Sequence, residues 1–195
     1  MKKLIAITGG IGSGKSLALQ TLKRAGYKVL SSDEIVKKLY TKHAVKKILK
    51  DVFPTAVSGE KHLTINTKKI SEIAFNDKEK HKKLTSAITP LVMDKIKSTA
   101  RRTKAPIFAE VPLLFECNYQ SNFDGIMVIM RDKNNRIESV KARSKLSEEE
   151  IIARIEKQVD YEKMNLTDYK VIQNKKDIKH FEKKILQTAK ELISK

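Results

Sequence analysis

A short apolar run, Leu4–Ile7, breaks directly into Thr8-Gly9-Gly10-Ile11-Gly12-Ser13-Gly14-Lys15-Ser16. Glycines at 9, 10, 12 and 14, followed at once by a lysine and a serine, constrain this chain more than any other feature. Glycine permits backbone angles closed to other residues, so successive N–H groups can turn inward onto one anion. The spacing Gly9-x-x-x-x-Gly14-Lys15-Ser16 matches in full the loop that cradles nucleotide phosphates. Such a loop needs a buried strand before it and a helix after it. Leu4–Ile7 reads as the strand. Lys15–Ala25 reads as the helix, with Leu17, Ala18, Leu22 and Ala25 on one face and Gly26 ending it. The helix start adds its positive dipole end to the cradle. In this arrangement Lys15 bridges the β- and γ-phosphates, and Ser16 offers its hydroxyl to Mg²⁺. The expected ligand is a nucleoside triphosphate. The motif alone does not separate kinases from GTPases, motors or helicases.

The rest of the chain follows an α/β pattern. Val29-Leu30 reads as a second strand, closed by Ser31-Ser32-Asp33. Strand, loop, helix and strand in that order open a domain with parallel strands. From Asp33 to Arg102 the pattern is mostly helical, interrupted at Phe53–Lys61, with no convincing strand. This stretch reads as a helical insertion covering a substrate site. Ile107–Val111, ended by Pro112, and Gly125–Met130 return to the buried-strand pattern. A polar, basic segment follows. Ser147 and Glu150 then form a capping box that opens a helix over Glu148–Tyr161. Tyr169–Ile172 reads as a last short strand. Asp177–Ile193 reads as an amphipathic helix with Ile178, Phe181, Ile185, Ala189 and Leu192 inward.

Composition narrows the partners. The 195 residues suffice for one compact domain, whose core rests on Leu, Ile, Val and Ala because Trp is absent. The net charge of +18 asks for an anionic partner: nucleic acid, an anionic membrane or a phosphorylated small molecule. Much of the excess lies in pairs such as Lys37-Lys38, Lys46-Lys47, Lys68-Lys69, Lys82-Lys83 and Lys183-Lys184, which suit solvated helix faces. No aromatic residues interleave with these lysines for base stacking, so no dedicated nucleic-acid partner is expected. Met1–Ile7 imitates a signal peptide, but its apolar part is too short, and no later run is long enough to span a membrane. The single cysteine, Cys117, forms no internal disulfide, and no adjacent cation marks it as a nucleophile. A cytoplasmic protein with no membrane partner is expected, and a monomer. His43, His62, His81 and His180 read as surface residues without metal-ligand spacing.

Beyond the loop, "SSDEIVKKLY", "AITPLV", "EVPLLFE" and "RSKLSEEEIIARIEKQ" occur in that order. Together with "TGGIGSGKS", they resemble the dephospho-CoA kinase family over nearly the whole chain. The resemblance implies a P-loop kinase of the nucleoside-monophosphate-kinase-like α/β fold, with a parallel five-stranded sheet flanked by helices. It implies a core of residues 1–33, 104–132 and 165–195, a helical acceptor-binding region over 34–103, and a lid with its following helix over 133–164. The implied reaction moves the γ-phosphoryl group of ATP to the ribose 3′-hydroxyl of dephospho-CoA, with Mg²⁺. Another P-loop small-molecule kinase is an alternative, against which "VPLLFE" argues. A basic nucleic-acid-binding P-loop protein is the other.

Residue by residue, the resemblance puts ATP against Gly10, Ile11, Gly12, Ser13, Gly14, Lys15, Ser16 and Leu17, with Asn174 near the last strand. It puts the acceptor against Thr8, Asp33, Leu113, Leu114, Phe115 and Glu116. The catalytic set is Asp33, Lys15 and Arg143, and Ser16 is the metal-contacting residue. The family usually has Asp-x-Asp after its second strand; here the first is Ser31 and the second, Asp33, is kept. A carboxylate there can accept the hydroxyl proton, or merely cap the helix expected over Glu34–Tyr40. Leu113, Leu114 and Phe115 read equally as acceptor wall or as strand-end core. Glu110 reads as a group in the outer shell of Mg²⁺. Arg136, Lys141, Arg143 and Lys145 share the basic lid segment. The family's Arg-x-x-x-Arg survives only at Arg143, since its first position is Ser139; Arg136 is the candidate substitute. Thr89 stands where the family has His before Pro90. Met164, Asn165 and Tyr169 depart from the family's Lys-Arg and Asp, and the Gly after Asn174 is not kept.

Overall fold

The structure, a computed structural model, describes residues 3–144, 146–175 and 177–194. In chain order the elements are β1 (Leu4–Thr8), α1 (Lys15–Arg24), β2 (Lys28–Ser31), α2 (Ser32–Leu39), α3 (His43–Val52), β3 (Val57–Ser58), β4 (Thr64–Ile65), α4 (Thr67–Asn76), α5 (Lys78–Arg101), β5 (Ile107–Glu110), β6 (Gly125–Met130), α6 (Lys133–Lys141), α7 (Glu148–Glu156), β7 (Lys170–Gln173) and α8 (Ile178–Ser194). The described chain divides into two compact units. One runs up to Ser31 and resumes at Arg102; the other is Ser32–Arg101.

The first unit is built on a five-stranded sheet in the order β2-β5-β1-β6-β7, with every pairing parallel. β1 is central and buried along its whole length, which explains its unbroken apolar run. Ile5, Ile7, Phe108, Met127 and Ile129 from the sheet form one core cluster with Ala18 and Leu22 of α1 and Phe181, Ile185 and Ala189 of α8. Because the strands are parallel, their carboxyl ends share one edge: Ser31 pairs with Glu110, Glu110 with Ile7, and Thr8 with Val128. In open α/β sheets ligands bind outside that edge. The glycine loop leaves β1 there. A second, smaller cluster joins α6 to α7 through Ile137, Val140 and Ile151.

The second unit is helical around Ile35, Leu49, Phe53, Ile70, Met93 and Ile96, all buried. It also contains a feature the sequence did not suggest: an antiparallel hairpin pairing Val57 with Ile65 and Ser58 with Thr64. Strands this short carry no readable alternation. Lys46 Nζ donates to the Leu63 carbonyl at 2.7 Å and ties α3 to this hairpin. Asn66 caps α4 by accepting from the Lys69 N–H. α5 runs through Pro90 without interruption.

Three further expectations are corrected. α2 begins at Ser32, directly after β2, so Asp33 lies inside its first turn and is not its N-cap. α7 stops at Glu156, well short of Tyr161. The residues beyond it are drawn elsewhere, Gln158 to Ile11 and Val159 to Glu116. Ile178 opens α8 but is 57% exposed, as the first residue of a helix whose inward face starts at Phe181.

Candidate active site

The loop between β1 and α1 is a wrapped, mostly buried turn. Lys15 folds back over it, and its Nζ donates to the carbonyls of Gly9 at 2.8 Å and Gly10 at 3.0 Å. That places the ammonium of Lys15, a buried residue, over the loop. Gly14 is the N-cap of α1 with φ 105, in the left-handed region. A side chain at Gly14 would also collide with the Asn174 amide. α1 starts with no side-chain cap and no acidic residue in its first turn. The positive end of α1 is therefore neither capped by a side chain nor offset by an acid. Ser16 is exposed one residue into that helix. A buried cation, an uncapped helix start and an exposed hydroxyl in one turn fit a metal-bound polyphosphate.

Two segments distant in sequence hold the loop. From one side, Asn174 follows β7, and its N–H donates to the Met130 carbonyl at 2.7 Å. Its side-chain amide donates to the Ser13 carbonyl, also at 2.7 Å. Asn174, expected to contact the nucleotide, is thus a buried support of the loop backbone. From the other side come α6 and the chain after α7. Arg136 Nε donates to the Ile11 carbonyl at 2.9 Å. Gln158 Oε1 accepts the Ile11 N–H at 2.6 Å. The hydroxyls of Tyr161 and Thr8 are bonded at 3.2 Å. Burial pushes the Tyr161 hydroxyl up to about 12 despite that bond. Burial likewise pulls the Arg136 guanidinium down, opposed by the charges of Glu162, Tyr161 and Asp160. A cavity of about 320 Å³ lies between the loop, the end of β6 and residues 155–162. Gly10, Ser13, Arg131, Arg136 and Tyr161 are among the residues that line it.

On the β5 side, Glu110 is buried and accepts from Ser31 Oγ at 3.3 Å. Leu114 and Phe115 are buried, Leu113 only partly. Phe115 packs edge-on to Tyr161 at 5.8 Å between ring centroids and tilted to Tyr169 at 5.3 Å. Glu116 Oε1 accepts the Val159 N–H at 3.4 Å, while its buried Oε2 has no hydrogen-bond partner among the described residues. Arg143 is exposed in the turn after α6, its N–H bonded to the Val140 carbonyl. Lys145, the other basic residue expected there, lies outside the described residues. In the helical unit Asp33 is exposed in the first turn of α2, beside Glu34. The four histidines are exposed. No group of three or more His, Cys, Asp and Glu gathers for a metal among the described residues.

Sequence reasoning did not find Gln158, or the bond between Tyr161 and Thr8. Gln158 lies within the quoted "RIEKQ", but nothing in that string says that its amide reaches a loop 147 residues earlier.

Comparison with known proteins adds to this geometry. The family model for dephospho-CoA kinase matches residues 3–180. A dephospho-CoA kinase of Thermus thermophilus is 31% identical over 97% of this chain and 91% of its own length. Among solved structures, TT1252 from Thermus thermophilus has a TM-score of 0.81 at 30% identity, covering 97% of both chains. Dephospho-CoA kinase from Campylobacter jejuni has a TM-score of 0.68 at 28% identity, covering 98% of both.

Proposed function

This chain belongs to the dephospho-CoA kinase family, and on that premise we propose that ATP lies with its phosphates in the glycine loop while the ribose 3′-hydroxyl of dephospho-CoA receives the terminal phosphoryl group. The reaction is the ATP-dependent phosphorylation of dephospho-CoA. The observation that carries the reading is Lys15, a buried ammonium held over the loop at the uncapped start of α1. Charge builds on the phosphoryl oxygens during transfer, and a fixed cation at the positive end of a helix stabilises it without reorganising.

Asp33 accepts the proton of the 3′-hydroxyl as its oxygen attacks the γ-phosphorus, and ADP leaves. Its position supports this: it follows Ser31, which ends β2 at the loop's edge of the sheet, by two residues. Arg143, exposed in the turn after α6, adds positive charge to the transferring group. The Ser16 hydroxyl would hold Mg²⁺, which would supply neutralisation of the phosphate charge. Glu116, with one oxygen on Val159, contributes the other to the acceptor. The protein works as a cytoplasmic monomer in this reading; no described helix is long and apolar enough to cross a membrane.

The test is incubation with Mg-ATP and dephospho-CoA, with adenosine and a DNA oligonucleotide as parallel acceptors. CoA, identified by mass and formed only from dephospho-CoA, is the expected product. Folded protein that binds ATP but yields no CoA would overturn the assignment.

A further inference from the structure

Ile11, at the tip of the glycine loop, is held three ways. Its N–H donates to Gln158, its carbonyl accepts from Arg136, and its side chain packs on the Ile137, Val140 and Ile151 cluster. The approach of Arg136 needs the neighbouring glycines. A side chain at Gly10 would collide with the Arg136 guanidinium, and one at Gly12 with the Arg136 backbone carbonyl. These two glycines therefore admit α6 to the loop as well as shaping it. A glycine-rich run loses more backbone freedom on ordering than any other sequence. An anchor at the tip removes that freedom before the ligand arrives, and preorganisation appears as affinity.

We propose that Arg136 is a positioning residue: through its Nε bond to the Ile11 carbonyl, and together with Gln158 on the N–H of the same residue, it keeps the phosphate loop in its ATP-binding shape. The inference rests on reading the loop as the ATP site. It gives Arg136 a task different from that of a charge-neutralising arginine, which acts on the transferring phosphoryl group itself. The Arg136 donor nearest the backbone is already committed to the loop.

The two tasks respond differently to substitution. Mg-ATP affinity is measured by calorimetry without acceptor, alongside kcat and KM, for Arg136→Ala, Arg136→Gln, Arg136→Lys, Gln158→Ala and the Arg136→Ala/Gln158→Ala double variant. Thermal midpoints check that each is folded. Arg136→Ala is expected to weaken Mg-ATP binding about tenfold, the scale of one lost charge-assisted hydrogen bond. Glutamine keeps a planar N–H donor without the charge and recovers most of that loss. Lysine keeps the charge without the fork and recovers less. The double variant loses less than the two single losses combined, because both groups hold one residue. The change falls on KM for ATP, with kcat within about threefold. Rescue by lysine but not glutamine, a loss confined to kcat, unchanged affinity in Arg136→Ala, or fully additive losses would each overturn the proposal. Wild-type protein that binds Mg-ATP but makes no CoA would overturn the reaction instead, and the affinity series would still judge the anchor.

Discussion

α1 and α7 begin in opposite ways. α7 starts with a complete capping box: Ser147 Oγ accepts the Glu150 N–H, Glu150 accepts the Ser147 N–H, and Glu148, Glu149 and Glu150 fill its first turn. α1 starts with a left-handed glycine, no cap and no acid, with Lys15 as its first residue. Capping satisfies orphan N–H groups, and acids in the first turn complement the dipole. α7 uses both devices and α1 uses neither. α1 thus forgoes local stability and leaves its positive end uncompensated, whereas the start of α7 is closed off by its own side chains. α2 stands between them, with Asp33 and Glu34 exposed in its first turn.

The largest effect is expected from giving α1 what α7 has. Ser16→Asp puts a carboxylate in the first turn of α1. We expect it to stabilise the helix by about 0.5 kcal/mol and to lower kcat/KM about a thousandfold or more by repelling the phosphates. Thermal unfolding and CoA formation would read the two opposite signs; a parallel fall in both would end the argument. Asp33→Asn comes next, with kcat down about a hundredfold, as for a lost general base, and stability lowered by only about 0.5 kcal/mol, the scale of one exposed first-turn charge facing the helix dipole. Near-normal turnover would reassign Asp33 to helix stabilisation alone. Arg143→Ala should lower kcat about thirtyfold and move KM for dephospho-CoA less; a change confined to KM makes it a binding residue. Ser147→Ala is the smallest and the converse of the first. It should cost about 1 kcal/mol of stability, seen in denaturant titration, and leave turnover within about twofold.

How much of this was legible follows from the range of each interaction. The central strand, the loop and α1 are contiguous, and their pattern is local, so the sequence stated them almost to the residue. The capping box of α7 is equally local. The β3–β4 hairpin was missed because two residues make no period. The end of α7 was missed because Gln158 and Val159 answer to Ile11 and Glu116, not to their own helix. The supports of the loop were the least legible part. Asn174 could be singled out, but its partner is a backbone carbonyl at Ser13, and backbone groups leave no mark in a sequence. Arg136 could be noted as a basic residue one turn from Ser139, while its contact with a glycine could not, since a glycine announces only that something comes close.

The bond from Asn174 to Ser13 has a further consequence for how this protein is made. It joins residues 161 positions apart, and α1 packs on α8 through Ala18, Leu22, Phe181 and Ile185. The phosphate loop is therefore translated well before the residue that supports it at Ser13. While the chain emerges from a ribosome, the loop waits as exposed, glycine-rich polypeptide beside an apolar strand, and contacts of such long range form late. A fragment cut off before Asn174 would carry the entire glycine-loop motif and still lack the side chain that holds the Ser13 carbonyl. Chains that stop short of Asn174 are accordingly expected to bind ATP poorly.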